Sequence, residues 1–162
     1  MQRTAPPASV GNDALVDAVL SASRVLVAIA ARSLADVGEE VTLTQYRSLV
    51  VLASRGPLGV ADLAEALRVS RPTASRMVER LVRKQLVTRR VDRHDRRQVR
   101  IALSPTGRHL VDAVTARRRA EIAELVASIP SEARGQVVAA FGHLRETAGE
   151  TPDQDWSTGW DL

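Results

Sequence analysis

At 162 residues the chain has room for one core with a helical extension but not for a second catalytic domain. It holds no cysteine, and aromatics make up 2% of it against 44% hydrophobic residues overall; this excludes disulfides, thiolate metal sites and thiol redox sensing, fits a reducing cytoplasm, and favours aliphatic packing between helices. The net charge of +4 is lopsided: residues 68–100 carry twelve of the 23 basic residues and three of the 19 acidic ones, a local +9 against −5 for the rest, as expected of a segment that neutralises phosphates.

Residues 1–10, with Pro6-Pro7, have little to bury and read as a loose arm. Asn12 or Asp13 then caps a first helix, whose Leu15, Val16, Val19, Leu20, Val25, Leu26 and Ile29 keep helical spacing to about residue 37, with Gly38 as its end. Thr42 and Gln45 form a T-x-x-Q capping box, and Val41 with Tyr46 a hydrophobic staple, at the start of a second helix that runs from 43 to about 54. Gly56-Pro57 stops it, and a short helix over 60–67 follows Gly59.

Arg68-Val69-Ser70 makes the next turn. Ser70 is an N-cap with Pro72 in the first helical turn, where a missing N–H costs nothing. The fourth helix, to about residue 84, splits into an inner face of Ala74, Met77, Val78, Leu81 and Val82 and an outer set of Arg71, Thr73, Ser75, Arg76, Arg80 and Arg83. Alternation replaces helical period in Leu86-Val87-Thr88-Arg89-Arg90-Val91 and Gln98-Val99-Arg100-Ile101-Ala102-Leu103, two short strands joined by the charged tip Asp92-Arg93-His94-Asp95-Arg96-Arg97. Strand, basic tip, strand is a wing. Ser104-Pro105 opens a long helix carrying Leu110, Val111, Val114, Ile122, Leu125, Val126 and Ile129, and a last helix over 131–148 places Val137, Val138, Phe141 and Leu144 on one face. An acidic tail with Trp156 and Trp160, free to pack or to stay disordered, closes the chain.

The fold class expected is therefore mainly α with a small β-wing, built around a winged helix-turn-helix. A helix fits the major groove of B-DNA, where Arg makes two hydrogen bonds to guanine and short hydroxyl side chains reach base edges or phosphates. In a helix-turn-helix the N-terminal part of the second helix meets the bases, so Ser70, Arg71, Thr73, Ser75 and Arg76 are the candidate readers, with Arg80 and Arg83 placed for phosphates. An ordinary amphipathic helix with a solvated basic face explains the charge alone; it does not explain the cap, the preceding short helix and the wing together. An enzyme is disfavoured: His94, His109 and His143 are scattered without metal-ligand spacing, and no Gly-rich phosphate loop or Ser-His-Asp arrangement is present. No metal or cofactor is expected. Nor is a membrane partner, since no apolar run approaches the roughly 20 residues of a span and no signal-peptide core opens the chain.

The ordered series Val41-Thr42-x-x-Gln45, Ala61-Asp62-Leu63-Ala64, Val69-Ser70-Arg71-Pro72-Thr73-Ala74-Ser75-Arg76, Leu81-Val82-x-Lys84-x-Leu86-Val87, Asp95-Arg96-Arg97 and Leu103-Ser104-Pro105-Thr106-Gly107 resembles the winged-helix core of the MarR family of bacterial regulators. The resemblance implies a cytoplasmic transcriptional regulator, in the repressor sense with activation left open. It would be a homodimer that holds two winged domains over successive major grooves of a palindromic double-stranded DNA site. It divides the chain into an arm and dimerisation helix (1–40), a winged helix-turn-helix (41–103), C-terminal dimerisation helices (104–148) and the tail (149–162). Arg97 would enter the minor groove, braced by Asp95, with Arg93 and Arg96 beside it; a narrow A·T-rich minor groove attracts such an Arg. Asp95 and Arg97 also read simply as a surface ion pair.

Related regulators are released by small aromatic or phenolic effectors bound between the dimer helices and the winged domain, and Tyr46 is placed either to line that crevice or to serve only as the staple. An architectural or antisilencing protein of low sequence specificity uses the same residues and is the alternative. One departure from the family stands out: Gln85 occupies the position of a Gly between recognition helix and strand, so it either adopts positive φ at some cost or turns differently.

Overall fold

The computed structural model describes residues 11–37, 41–91 and 98–150. The order is α1 (Asn12–Ala35), α2 (Leu43–Arg55), α3 (Val60–Leu67), α4 (Arg71–Arg83), β1 (Val87–Val91), β2 (Val99–Leu103), α5 (Pro105–Ala127) and α6 (Ser131–Ala148). The mainly helical class with a small antiparallel wing is the one expected. The arm before residue 11, the helix stop at Gly38, the wing tip with Arg93, Asp95, Arg96 and Arg97, and the tail with Trp156 and Trp160 lie outside the described residues.

Three caps set the frame. Thr42 and Gln45 make the reciprocal box at 3.2 Å in both directions, and Ser70 and Ser104 each accept the N–H three residues on, from Thr73 and Gly107, at 3.3 and 2.9 Å. Each such cap is worth about 1 kcal/mol and fixes where its helix starts. α1 differs from expectation, because its N-cap is Gly11 in extended backbone rather than Asn12 or Asp13, and it ends at Ala35. Asp13 sits in its first turn, where a carboxylate favours the helix dipole.

Four helix ends among the described residues turn through positive φ. α2 and α6 do so with Gly56 at φ 90° and Gly149 at 65°, but α3 uses Arg68 at 54° and α4 uses Gln85 at 58°. At the end of α4 the N–H of Leu86 reaches the carbonyl of Leu81 and that of Gln85 reaches Val82, at 3.0 and 2.9 Å, the paired bonds of a Schellman motif, with Leu81 and Leu86 both fully buried beside it. Gln85 thus takes the first of its two options. Positive φ costs a side-chain-bearing residue about 1 kcal/mol, which the two satisfied carbonyls and the apolar contact offset.

The core gathers Leu49, Leu52, Leu63, Val78, Leu81, Leu86, Ile101, Val111 and Val114 from α2, α3, α4, the sheet and the start of α5. β1 and β2 pair with Val87 opposite Leu103 and Val91 opposite Val99, and Leu58 adds a one-residue bridge to Ile101, with N···O distances of 3.0 and 2.7 Å. All the buried positions of α5 fall between Gly107 and Val114, and α6 has none.

Outside this core the helices carry bare apolar surface: Leu15, Val16 and Leu20 on α1, Leu125 and Val126 on α5, Val138, Phe141 and Leu144 on α6. By length and composition α1 is also apolar enough to cross a membrane, which corrects the expectation that no run reaches that length. Its alanines and serines hide the apolar run from a reading that looks for large aliphatic residues. Two ion pairs hold α1 to α5, Arg32 with Glu121 at 2.9 Å and Arg117 with Asp36 at 2.6 Å, and the fully buried Ser33 donates to Glu121 at 3.0 Å. These groups border a cleft of 470 Å³ between the two helices.

Candidate nucleic-acid interface

α4 is placed by what lies beneath it. Ala74, Met77, Val78 and Leu81 are buried, and on α2 the Ser48 hydroxyl, which donates to the Thr44 carbonyl at 3.0 Å, lies against the Met77 sulfur, where α4 packs on the scaffold helix. With that face consumed, Arg71, Arg76, Arg80 and Arg83 are left exposed, together with Ser70. Pro72 follows the cap within the first turn, so the Arg-bearing start of the helix projects from a rigid turn.

The hydroxyl candidates divide. Thr73 is half-buried, and its hydroxyl lies 2.8 Å from that of Ser70, so both belong to the cap and present only part of their polar surface outward. Ser75 is half-buried. The cationic readers named from the sequence, Arg71 and Arg76, are thus both exposed, while of the small polar ones Ser70 is exposed and Thr73 and Ser75 are half-buried.

The wing stands against α4 through the turn at Gln85. Ser104 anchors that turn: its hydroxyl donates to the Gln85 carbonyl at 2.5 Å while accepting from Gly107, and its N–H reaches the Leu86 carbonyl at 3.1 Å. Gly107 is obligatory, because a Cβ there would lie 2.0 Å from the Leu86 oxygen. The Ser104-Pro105-Thr106-Gly107 run is therefore a packing joint between recognition helix and long helix, a role its sequence does not announce. On β2, Arg100 approaches Asp62 of α3 at 3.7 Å, tying the wing to the helix before the turn. Arg89 and Arg90 on β1 are exposed, and Arg89, which borders a cleft with Arg83, extends the basic surface from α4 onto the wing.

Tyr46 is buried, with 5% of its surface exposed, and its hydroxyl lies 3.4 Å from that of Thr115 on α5. Val41 is buried in the same cluster, as a staple residue would be. Tyr46 lines neither the α1–α5 cleft nor a second one beside α4.

Residues 41–99 match the model of the MarR family. The crystal structure of RV1404 from Mycobacterium tuberculosis superposes with a TM-score of 0.82 at 41% identity, covering 90% of this chain and 99% of that one. The chain belongs to the MarR family. Among curated relatives, the HTH-type transcriptional repressor NicR of Pseudomonas putida is 36% identical over 107 residues, 66% of each protein, so the match spans just under two thirds of NicR. Another MarR-type fold, a MepR mutant from S. aureus bound to an oligodeoxyribonucleotide, shares 26% identity and a TM-score of 0.59 over 85% of this chain and 99% of that one. Within this MarR family chain the matched segment contains α2, α3, α4, β1 and the turn at Gln85, the elements that carry the exposed arginines.

Proposed function

We propose that the chain is a sequence-specific transcriptional repressor that binds a palindromic operator as a cytoplasmic homodimer and is released by a small aromatic or phenolic effector. The observation that carries the DNA-binding part is the face of α4: four exposed arginines on a helix whose opposite side is fully packed and whose N-terminus is capped by Ser70. Arg71 and Arg76 occupy the end of the helix that meets base edges, and Ser70, Thr73 and Ser75 flank them. Arg80 lies a turn further on, toward the phosphates. Arg93, Arg96 and Arg97, with Asp95 bracing Arg97, complete the contact from the wing tip in the adjacent minor groove. The repressor NicR and the DNA-bound MepR structure support this reading by similarity.

The homodimer is supported by the uncovered aliphatics of α1, α5 and α6. α6 buries nothing within its own chain, and an isolated amphipathic helix is not stable without a partner for its apolar face. A second copy supplying the same helices covers α1 as well, which accounts for its apolar length without a membrane. The division into dimerisation helices (1–40 and 104–148) around a winged domain (41–103) follows from that reading.

For effector release the candidate contact is Tyr46 on α2, whose hydroxyl lies 3.4 Å from that of Thr115 on α5. Reaching it requires those helices to part, so a ligand that does so prefers a packing with altered wing spacing and shifts the population away from the DNA-bound state.

The test is recovery and sequencing of DNA bound to the purified protein, followed by affinity measurements on the recovered site and on random duplex. Specific binding a thousandfold or more above random supports a local regulator, whereas a ratio of only a few fold supports an architectural DNA-binding protein instead.

A further inference from the structure

The outer surface of α4 carries one carboxylate. Glu79 is exposed and lies three residues after Arg76, beside Arg80 and four before Arg83, yet among the described residues it forms no ion pair within 4.0 Å with any of them. It lines a cleft of 280 Å³ with Val82 and Arg83 of α4 and Arg89 of β1. The carboxylate thus stands at the junction of recognition helix and wing, between two cations that form no ion pair among the described residues either.

When a helix occupies a major groove and the attached wing the next minor groove, one phosphate strand separates the two grooves and must pass between helix and wing. On the DNA-binding reading above, that path runs along the cleft. Arg83 and Arg89 attract the strand there, and Glu79 repels it. Reading of a cytosine amino group, the usual task of a carboxylate in the major groove, fits the position poorly: Glu79 is eight residues, roughly 12 Å, beyond Arg71 along the helix axis, away from the end that meets base edges.

We propose that Glu79 is an electrostatic brake on phosphate binding, a residue that lowers the sequence-independent part of the affinity at the helix–wing junction. The proposal rests on the DNA-binding reading above. Sequence-independent binding is almost wholly a phosphate term, and that term is shared by the specific complex, so a carboxylate that opposes it weakens binding to random DNA without taking part in base reading by Arg71 and Arg76.

The experiment measures the full-length protein on random-sequence duplex and on its recovered site across a salt series. Glu79→Gln, which keeps the shape and removes the charge, is expected to bind random duplex about threefold to tenfold more tightly at low salt, with a steeper salt dependence; Glu79→Asp stays near wild type. Unchanged affinity for random duplex in Glu79→Gln overturns the proposal. So does weaker binding to the recovered site alone, which makes the carboxylate a base reader. Arg83→Ala and Arg89→Ala separate the two levels. If they weaken random binding while Glu79→Gln changes nothing, the brake fails and the DNA interface stands; if they too change nothing, no phosphate passes through the cleft and both readings of this junction fail.

Discussion

Arg47 on α2 and Glu150, two residues beyond the end of α6, meet as a two-bonded fork, with N···O distances of 2.7 and 2.6 Å. The left-handed turn at Gly149, bonded back to Glu146 and Arg145 through the N–H groups of Gly149 and Glu150, aims Glu150 at α2. Since α6 buries no residue in its own chain, this pair is a principal tie between the last helix and the winged core.

The hydrogen bond from Arg47, and then its charge with that of Arg55 nearby, hold the Glu150 carboxyl below its ordinary value against an opposing effect of partial burial. A carboxyl depressed in the folded state stabilises the fold above its unfolded value of 4.5 and loses that contribution as pH falls through the folded value. The pair is half-exposed, so its worth is at most about 1 kcal/mol. Denaturant midpoints of Glu150→Gln are expected to lie below wild type at neutral pH and to converge with it in acid; a gap that persists at about pH 2 argues that packing, not charge, holds the tie.

Arg76→Ala is expected to weaken binding to the recovered site by about tenfold to a hundredfold, the worth of a bidentate base contact, with less effect on random DNA. Arg97→Ala is expected to weaken the same complex while leaving the dimer intact. Binding assays paired with sedimentation check both, and wild-type affinity in the Arg97 variant removes the wing tip from recognition.

Binding should also fall steeply with salt, with a log–log slope near −0.9 for each phosphate neutralised. A flat salt response would show that the segment over 68–100 is not the contact surface.

Two backbone substitutions probe the joint between α4 and the wing. Gln85→Gly relieves a positive φ but adds freedom to the unfolded chain, so a gain of no more than about 1 kcal/mol is expected. Gly107→Ala forces a Cβ against the Leu86 carbonyl and is expected to cost about 1–3 kcal/mol. Thermal melts distinguish them by sign.

Much of this was legible in the chain itself, because caps act over three residues: Thr42 with Gln45, Ser70 with Pro72 and Ser104 with Pro105 each mark a helix start within one short window. The inner and outer faces of α4 followed from period alone. Contacts between distant positions leave no such trace. The Leu58–Ile101 bridge is one residue long, too short to alternate; Arg47 and Glu150 are 103 positions apart; and the left-handed turn at Arg68 carries no glycine to announce it. The depth of Tyr46 was ambiguous for another reason, since a staple residue and a crevice residue have the same spacing and differ only in what α5 lays over them.

The Ser104 hydroxyl serves two masters, the carbonyl that ends α4 and the N–H that begins α5. Separating those helices there would strand a buried polar group at about 1–3 kcal/mol, on top of the Leu86–Gly107 contact. α4, the wing and the first ten residues of α5 are therefore joined as one piece. If the chain acts as the dimeric switch proposed above, a change in distance between two such pieces would bend the long helix past Val114, beyond which none of its residues is buried, and so away from the turn at Gln85.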